Sequence, residues 1–143
     1  ATAGTELDIG GRVSLEAAGA KAEILTRTIS KGGKIIARGI LIGEKQGVKA
    51  HLECSGLMLS DEGSIRAIPE LDGRVAGVEM SHEAAVGRIS REEIEYLMTR
   101  GLSENEATAL IVRGFLRVEM EGLPEPLKKE IDRLVEESEK SLL

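Results

Sequence analysis

Lys34-Ile35-Ile36-Ala37-Arg38-Gly39-Ile40-Leu41-Ile42 and Val48-Lys49-Ala50-His51-Leu52-Glu53-Cys54, parted by a short segment that ends Lys45-Gln46-Gly47, decide the fold. Both runs are rich in Ile, Val and Leu, and each stops at a glycine or polar cluster after seven to nine residues. That is strand grammar rather than helix grammar. In the second run Val48, Ala50 and Leu52 alternate with polar residues, so one face is buried and the other is wet or paired. Outward from this pair, residues 22–29, 64–68 and 74–82 have the same character, punctuated by Gly32-Gly33, Asp61-Glu62-Gly63 and Asp72-Gly73. Leu7/Ile9 and Val13/Leu15 alternate in the same way. Residues 5–89 therefore read as a succession of short strands with no helix caps.

Two architectures fit that pattern. An antiparallel sandwich or barrel would use the glycine dipeptides as hairpins, and a parallel β-helix would stack aliphatic on aliphatic from rung to rung. The aromatic residues are Tyr96 and Phe115, both in the C-terminal third, so the strand region builds its core from aliphatics alone. Sandwiches anchor on a buried aromatic, which tilts the reading toward the β-helix.

Near residue 90 the apolar period changes to 3.6. Ser90-Arg91-Glu92-Glu93 is a capping box that opens a helix of about ten residues, with Ile94, Leu97 and Met98 on its apolar stripe and Gly101 as its stop. A second box, Ser103-Glu104-Asn105-Glu106, predicts a longer helix with the stripe Ala107, Leu110, Ile111, Phe115 and Val118, broken by Gly122 and Pro124. A third helix uses Leu127, Ile131, Leu134 and Val135. The chain is thus expected to divide into a strand-built scaffold over 1–89 and a helical region over 90–143.

Composition narrows the function. A chain of 143 residues suits one domain, and a large multi-domain enzyme is not expected. The net charge of -6, without a basic block, argues against nucleic acid as a partner. The longest apolar runs are too short to cross a bilayer, and there is no basic-then-apolar leader pattern, so no membrane role is expected. The single cysteine, Cys54, fits a reducing compartment, and the cytoplasm is the expected location. The opening Ala1-Thr2-Ala3-Gly4, directly before strand-like residues, raises the expectation of a fragment or a processed chain. From 90 to 143 there are 13 acidic residues against 8 basic ones, which places most of the negative charge on the helices.

Few residues offer chemistry. Cys54, His51, His82 and neighbouring carboxylates such as Glu83 have ligand or nucleophile potential, but there is no Ser-His-Asp order, phosphate loop or dinucleotide fingerprint. Strand parity puts His51 and Cys54 on opposite faces, and likewise His82 and Glu83. Taken alone, Cys54 reads as a small buried hydrophobe, and with no Cys-x-x-Cys nothing anchors a zinc site.

The run from Ser81-His82-Glu83-Ala84-Ala85-Val86-Gly87-Arg88-Ile89 through Glu95-Tyr96-Leu97-Met98-Thr99-Arg100-Gly101 closely resembles the signature of the SufB/SufD family. Glu106-Ala107, Ile111-Val112-Arg113-Gly114-Phe115 and Leu123-Pro124 resemble the closing helices of that family. The resemblance implies a right-handed parallel β-helix followed by a C-terminal α-helical region. It also implies a non-catalytic scaffold on which a transient iron–sulfur cluster is assembled together with a SufC-type ATPase. Members of the SufB branch use a cysteine and a glutamate near the signature, and those of the SufD branch use the signature histidine. Cys54 stands 28 positions before His82 and 29 before Glu83, so the resemblance implies Cys54 as thiolate ligand or persulfide acceptor, with His82 and Glu83 completing the coordination. It further implies that the helical region docks the ATPase, with Tyr96, Arg100, Ile111 and Phe115 as the contact residues. The chain departs from the SufB pattern in following the cysteine with Ser55-Gly56 and in having no second cysteine, and it is shorter than typical members.

An iron–sulfur cubane takes about four ligands, usually thiolates, and one protomer offers one thiol. A dimer with itself or with a related SufB/SufD chain is therefore expected, which would also cover open sheet edges. The rival reading is an interaction module that only docks the ATPase. A carbohydrate-active β-helix enzyme is disfavoured, because residues 1–89 contain no aromatic platform for a sugar ring.

Overall fold

The structure, a computed structural model, describes residues 1–118 and 123–142. Strands β1 (Glu6–Leu15), β2 (Lys21–Ser30), β3 (Lys34–Gly43), β4 (Lys49–Met58), β5 (Ser64–Gly73) and β6 (Glu79–Arg88) precede helices α1 (Arg91–Thr99), α2 (Glu104–Leu116) and α3 (Glu125–Leu142). The odd strands form one sheet in the order β1-β3-β5 and the even strands a second in the order β2-β4-β6. Every strand ladder is parallel: Glu6 pairs with Lys34 and Lys34 with Ser64, while Lys21 pairs with Lys49 and Lys49 with Glu79. Successive strands alternate between the sheets and each returns beside the strand two before it, so this is a parallel β-helix and not a sandwich. Two compact units result, Ala1–Arg88 and Ile89–Leu143.

The glycines turn the corners. Gly19, Gly47 and Gly77 hold one corner and Gly4, Gly32 and Gly63 the other, all with positive φ, where a side chain is strained. The turns are stacked on one another: the Gly19 amide donates to the Gln46 carbonyl and the Gly47 amide to the Gly77 carbonyl. Asp72-Gly73, expected as a turn, instead ends β5, and residues 74–78 make the turn where the sequence pattern predicts a strand over 74–82. Gly73 is needed there for a packing reason, since a Cβ on it would lie 2.9 Å from Val78 Cγ2. Strands β4 and β5 also outrun the expected ends at 54 and 68. Pro69 lies inside β5, which is an edge strand, where a missing ladder donor is tolerated.

The core lies between the two sheets. Leu15, Leu41, Val48, Ala50, Leu52 and Cys54 form its buried cluster. Leu52, from the even sheet, fills space that only a glycine opposite can leave: a Cβ on Gly39 would come within 2.5 Å of Leu52 Cδ1. In the helical unit both capping boxes are formed, with the side chains of Ser90 and Ser103 accepting from the amides of Glu93 and Glu106. Gly101 ends the first helical segment at φ 96°. Helix α2 ends at Leu116, not at Val118, because Arg117 turns extended. The expected stop at Gly122 lies outside the described residues. Pro124 accepts the Leu127 and Lys128 amides and so begins α3. Among the described residues no helix is long and apolar enough to cross a membrane.

Candidate functional site

Side chains alternate along β4: Ala50, Leu52, Cys54 and Gly56 are buried on the inner face, while His51, Glu53 and Ser55 are half-buried on the outer one. Because aligned residues of parallel neighbours share a face, the ladder sorts the candidates. Cys54 pairs with Thr26 on β2 and Ala84 on β6, His82 pairs with Leu52, and Glu83 pairs with Glu53. His82 therefore sits on the inner face one strand from Cys54 and two residues out of step, about 8 Å away between Cα atoms by ladder spacing. Glu83 is on the outer face. The fold brings Cys54 and His82 to one side and leaves Glu83 on the other.

Cys54 is 1% exposed. Burial pushes its thiol up, a hydrogen bond with Thr26 acts against that rise, and the Glu53 charge adds to it. His82 and Glu83 are exposed, because β6 is the last strand of its sheet and nothing within unit Ala1–Arg88 pairs its outer edge. Among the described residues no group of three His, Cys, Asp or Glu side chains is gathered closely enough to hold a metal ion.

The outer face of the same sheet carries a polar network that no motif in the sequence announces. Arg27 Nη1 lies 2.6 Å from Glu53 Oε1, the Ser55 hydroxyl donates to the same oxygen at 2.9 Å, and His51 Nδ1 meets Ser81 Oγ at 2.9 Å. The Arg27 guanidinium holds the Glu53 carboxyl below its ordinary value of 4.5 against the opposing effect of burial, with Ser55 and His51 in support. A carboxyl depressed on folding stabilises the native state above its unfolded value and loses that contribution as pH falls through the folded value. Arg27→Gln is accordingly expected to cost about 1 kcal/mol at pH 7, and the gap from wild type should close as pH falls below about 4.5, read from urea unfolding at each pH. A gap that stays constant to pH 3 would remove the ion pair as its source.

In the helical unit, Tyr96 is 57% exposed, and the Arg100 guanidinium carbon lies 5.3 Å from its ring centre while Nη2 donates to the phenol oxygen at 3.1 Å. A groove of about 600 Å³ is lined by Ser90, Glu92, Glu93, Tyr96, Leu97 and Ile111. Phe115 is half-buried on α2. Tyr96 and Ile111 thus share one concave surface.

Residues 1–115 match the family described as SUF system FeS cluster assembly, SufBD core domain. The chain is similar to an iron-sulfur cluster assembly SufBD family protein of Archaeoglobus fulgidus, 56% identical over 140 residues, which are 98% of this chain and 38% of that protein. A protein of the same description from Methanothermobacter thermautotrophicus is 50% identical over 137 residues, 95% of this chain and 33% of the relative. One from Staphylococcus epidermidis is 37% identical over 138 residues, 94% and 30%. The chain spans about a third of the length of these curated relatives.

Proposed function

Because the chain belongs to the SufBD family of SUF-system iron–sulfur cluster assembly proteins, we propose that it is a scaffold on which a nascent cluster is built, without catalytic turnover of its own. The observation that carries this reading is the inner-face placement of Cys54 and His82 on adjacent strands, the second of which is an edge strand that a further chain can reach. Cys54 serves as thiolate ligand or persulfide acceptor and His82 as a second donor. Glu83 lies on the outer face of the same strand, so its carboxylate joins the shell only around the edge of β6.

These residues supply one thiol, and further donors come from outside them, with a second chain as the source. The outer edge of β6, which no strand among the described residues pairs, is where a copy of this chain or a related SufB/SufD chain adds. Mixed oxygen, nitrogen and sulfur ligation holds the cluster less firmly than four thiolates, which suits a carrier that passes its cargo on. The helical unit docks a SufC-type ATPase through the Tyr96–Arg100 pair, Ile111 and Phe115. This work takes place in the cytoplasm.

Anaerobic incubation with iron and sulfide tests the scaffold reading directly. Wild type is expected to turn brown and hold iron, and Cys54→Ala to stay colourless. Equal iron in both proteins would remove Cys54 as a ligand. The exposed Tyr96 and the groove beside it favour the second reading, a module that only docks the ATPase, and absence of iron in both proteins would make that the better account.

A further inference from the structure

The outer face of the odd sheet is apolar at its centre and charged at its corners. On β3 the buried Ile35, Ala37 and Leu41 point inward, so Ile36 and Ile40 point outward, and both are only half-buried, as is Ile68 on the same face of β5. In register across the three strands, the row Asp8, Ile36, Arg66 runs acid, apolar, base, and the row Arg12, Ile40, Glu70 runs base, apolar, acid. All four corner residues are exposed, and Arg12 and Arg66 pair with no acid among the described residues. Between the two rows Arg38 is neutralised in place: Nε donates to Asp8 Oδ1 at 2.7 Å and Nη2 to Oδ2 at 3.0 Å.

Signs that alternate around a square make the face complementary to itself. A half-turn about an axis along β3 brings Asp8 of one copy to Arg66 of the other and Arg12 to Glu70; a half-turn about an axis across the strands brings Asp8 to Arg12 and Arg66 to Glu70. Either way acid meets base at every corner and isoleucine meets isoleucine between them. We propose that the outer face of the β1-β3-β5 sheet is a docking surface for a second copy of this chain, packed sheet on sheet. It lies on the other sheet from the β6 edge and needs no iron, so it goes beyond the scaffold reading and stands or falls apart from it. Three strands of ten residues offer a face about 30 Å by about 14 Å, about 400 Å² from each copy. A standard interface takes about 800 Å² from each partner, so the contact is expected to be weak, with a Kd of about 100 micromolar.

Sedimentation equilibrium of the whole chain at low salt, up to about 500 micromolar, measures the association, and charge swaps locate it. Glu70→Arg sets like charges against each other about either axis and is expected to weaken association about tenfold; Glu70 is exposed on an edge strand, so the fold is retained. The double variant Arg12→Glu with Glu70→Arg restores the pairs about the axis along β3, and Arg66→Glu with Glu70→Arg restores those about the axis across the strands. One of the two doubles is expected to associate within about threefold of wild type, and which one does so identifies the axis. A wild-type chain that stays monomeric over the whole range would overturn the proposal. So would association that Glu70→Arg leaves unchanged, which would belong to another surface such as the β6 edge, and so would failure of both doubles to recover.

Discussion

Leu52→Ala is expected to lower the unfolding free energy of the strand-built unit by about 2–5 kcal/mol and its thermal midpoint by about 10 °C or more. Leu52 is 0% exposed and sits in the row Ile24, Leu52, His82, adjacent to the row that holds Cys54. Its isobutyl group fills the gap left by Gly39 in the facing sheet, so truncation leaves a void that the surrounding strands, held by ladders on both sides of β4, close only in part. The same change at Leu7, which is 40% exposed on the first strand, should cost less than about 1 kcal/mol. The pairing with Gly39 adds a sharper check. Gly39→Ala alone overpacks the interior and should cost about 1–3 kcal/mol, but in the Leu52→Ala background the new methyl enters the void, so the double variant should be more stable than the sum of the two single changes implies. Strict additivity in urea unfolding would mean that the two side chains do not share that space.

How much of this is legible without the fold depends on which period is read. The period-2 pattern around Val48, Ala50 and Leu52 gives the strands, and the two Ser-x-x-Glu boxes give helix starts at Arg91 and Glu104, because each depends on contacts within a few residues. Strand ends are less legible. Asp72-Gly73 has the composition of a hairpin turn yet lies in β5, because in a coil the turn residue must be the one that stacks on the turn of the previous rung, here Gly77 on Gly47. The outer-face ion pair of Arg27 with Glu53 is hidden for the same reason: it joins residues 26 apart that only the rung register brings together. A signal for that register is present in the glycines. Gly19, Gly47 and Gly77, and Gly4, Gly32 and Gly63, recur at about the length of one rung, and aligning the chain on the first set places Thr26 beside Cys54 and Glu53 beside Glu83. The parity rule does separate His82 from Glu83 correctly, since it needs no register at all.

Gly63→Ala and Gly19→Ala should differ by about 2 kcal/mol or more in stability, although both glycines hold a left-handed backbone. Gly19 has φ 71° and nothing within 4 Å of the position that an added methyl would take, so alanine there pays only the conformational strain, about 1 kcal/mol. Gly63, at φ 87°, lies directly over the neighbouring rung: a Cβ would run into the Gly33 carbonyl oxygen and come within 2.7 Å of the Gly32 carbonyl carbon. That carbonyl oxygen cannot yield, because it already accepts the Ser30 hydroxyl at 2.7 Å and the Ser64 amide at 3.0 Å, which tie β2 to β3 and β3 to β5 at this corner. Alanine at 63 must therefore either break those bonds or spread the rungs, at a cost of about 3 kcal/mol or more. Amide exchange gives the readout that locates the damage: protection should fall at Ser64 and its neighbours in Gly63→Ala and stay at the wild-type level there in Gly19→Ala. Equal destabilisation by the two variants would show that the backbone conformation alone sets the requirement for glycine, and that the corner tolerates a wider spacing between rungs than the carbonyl contacts imply.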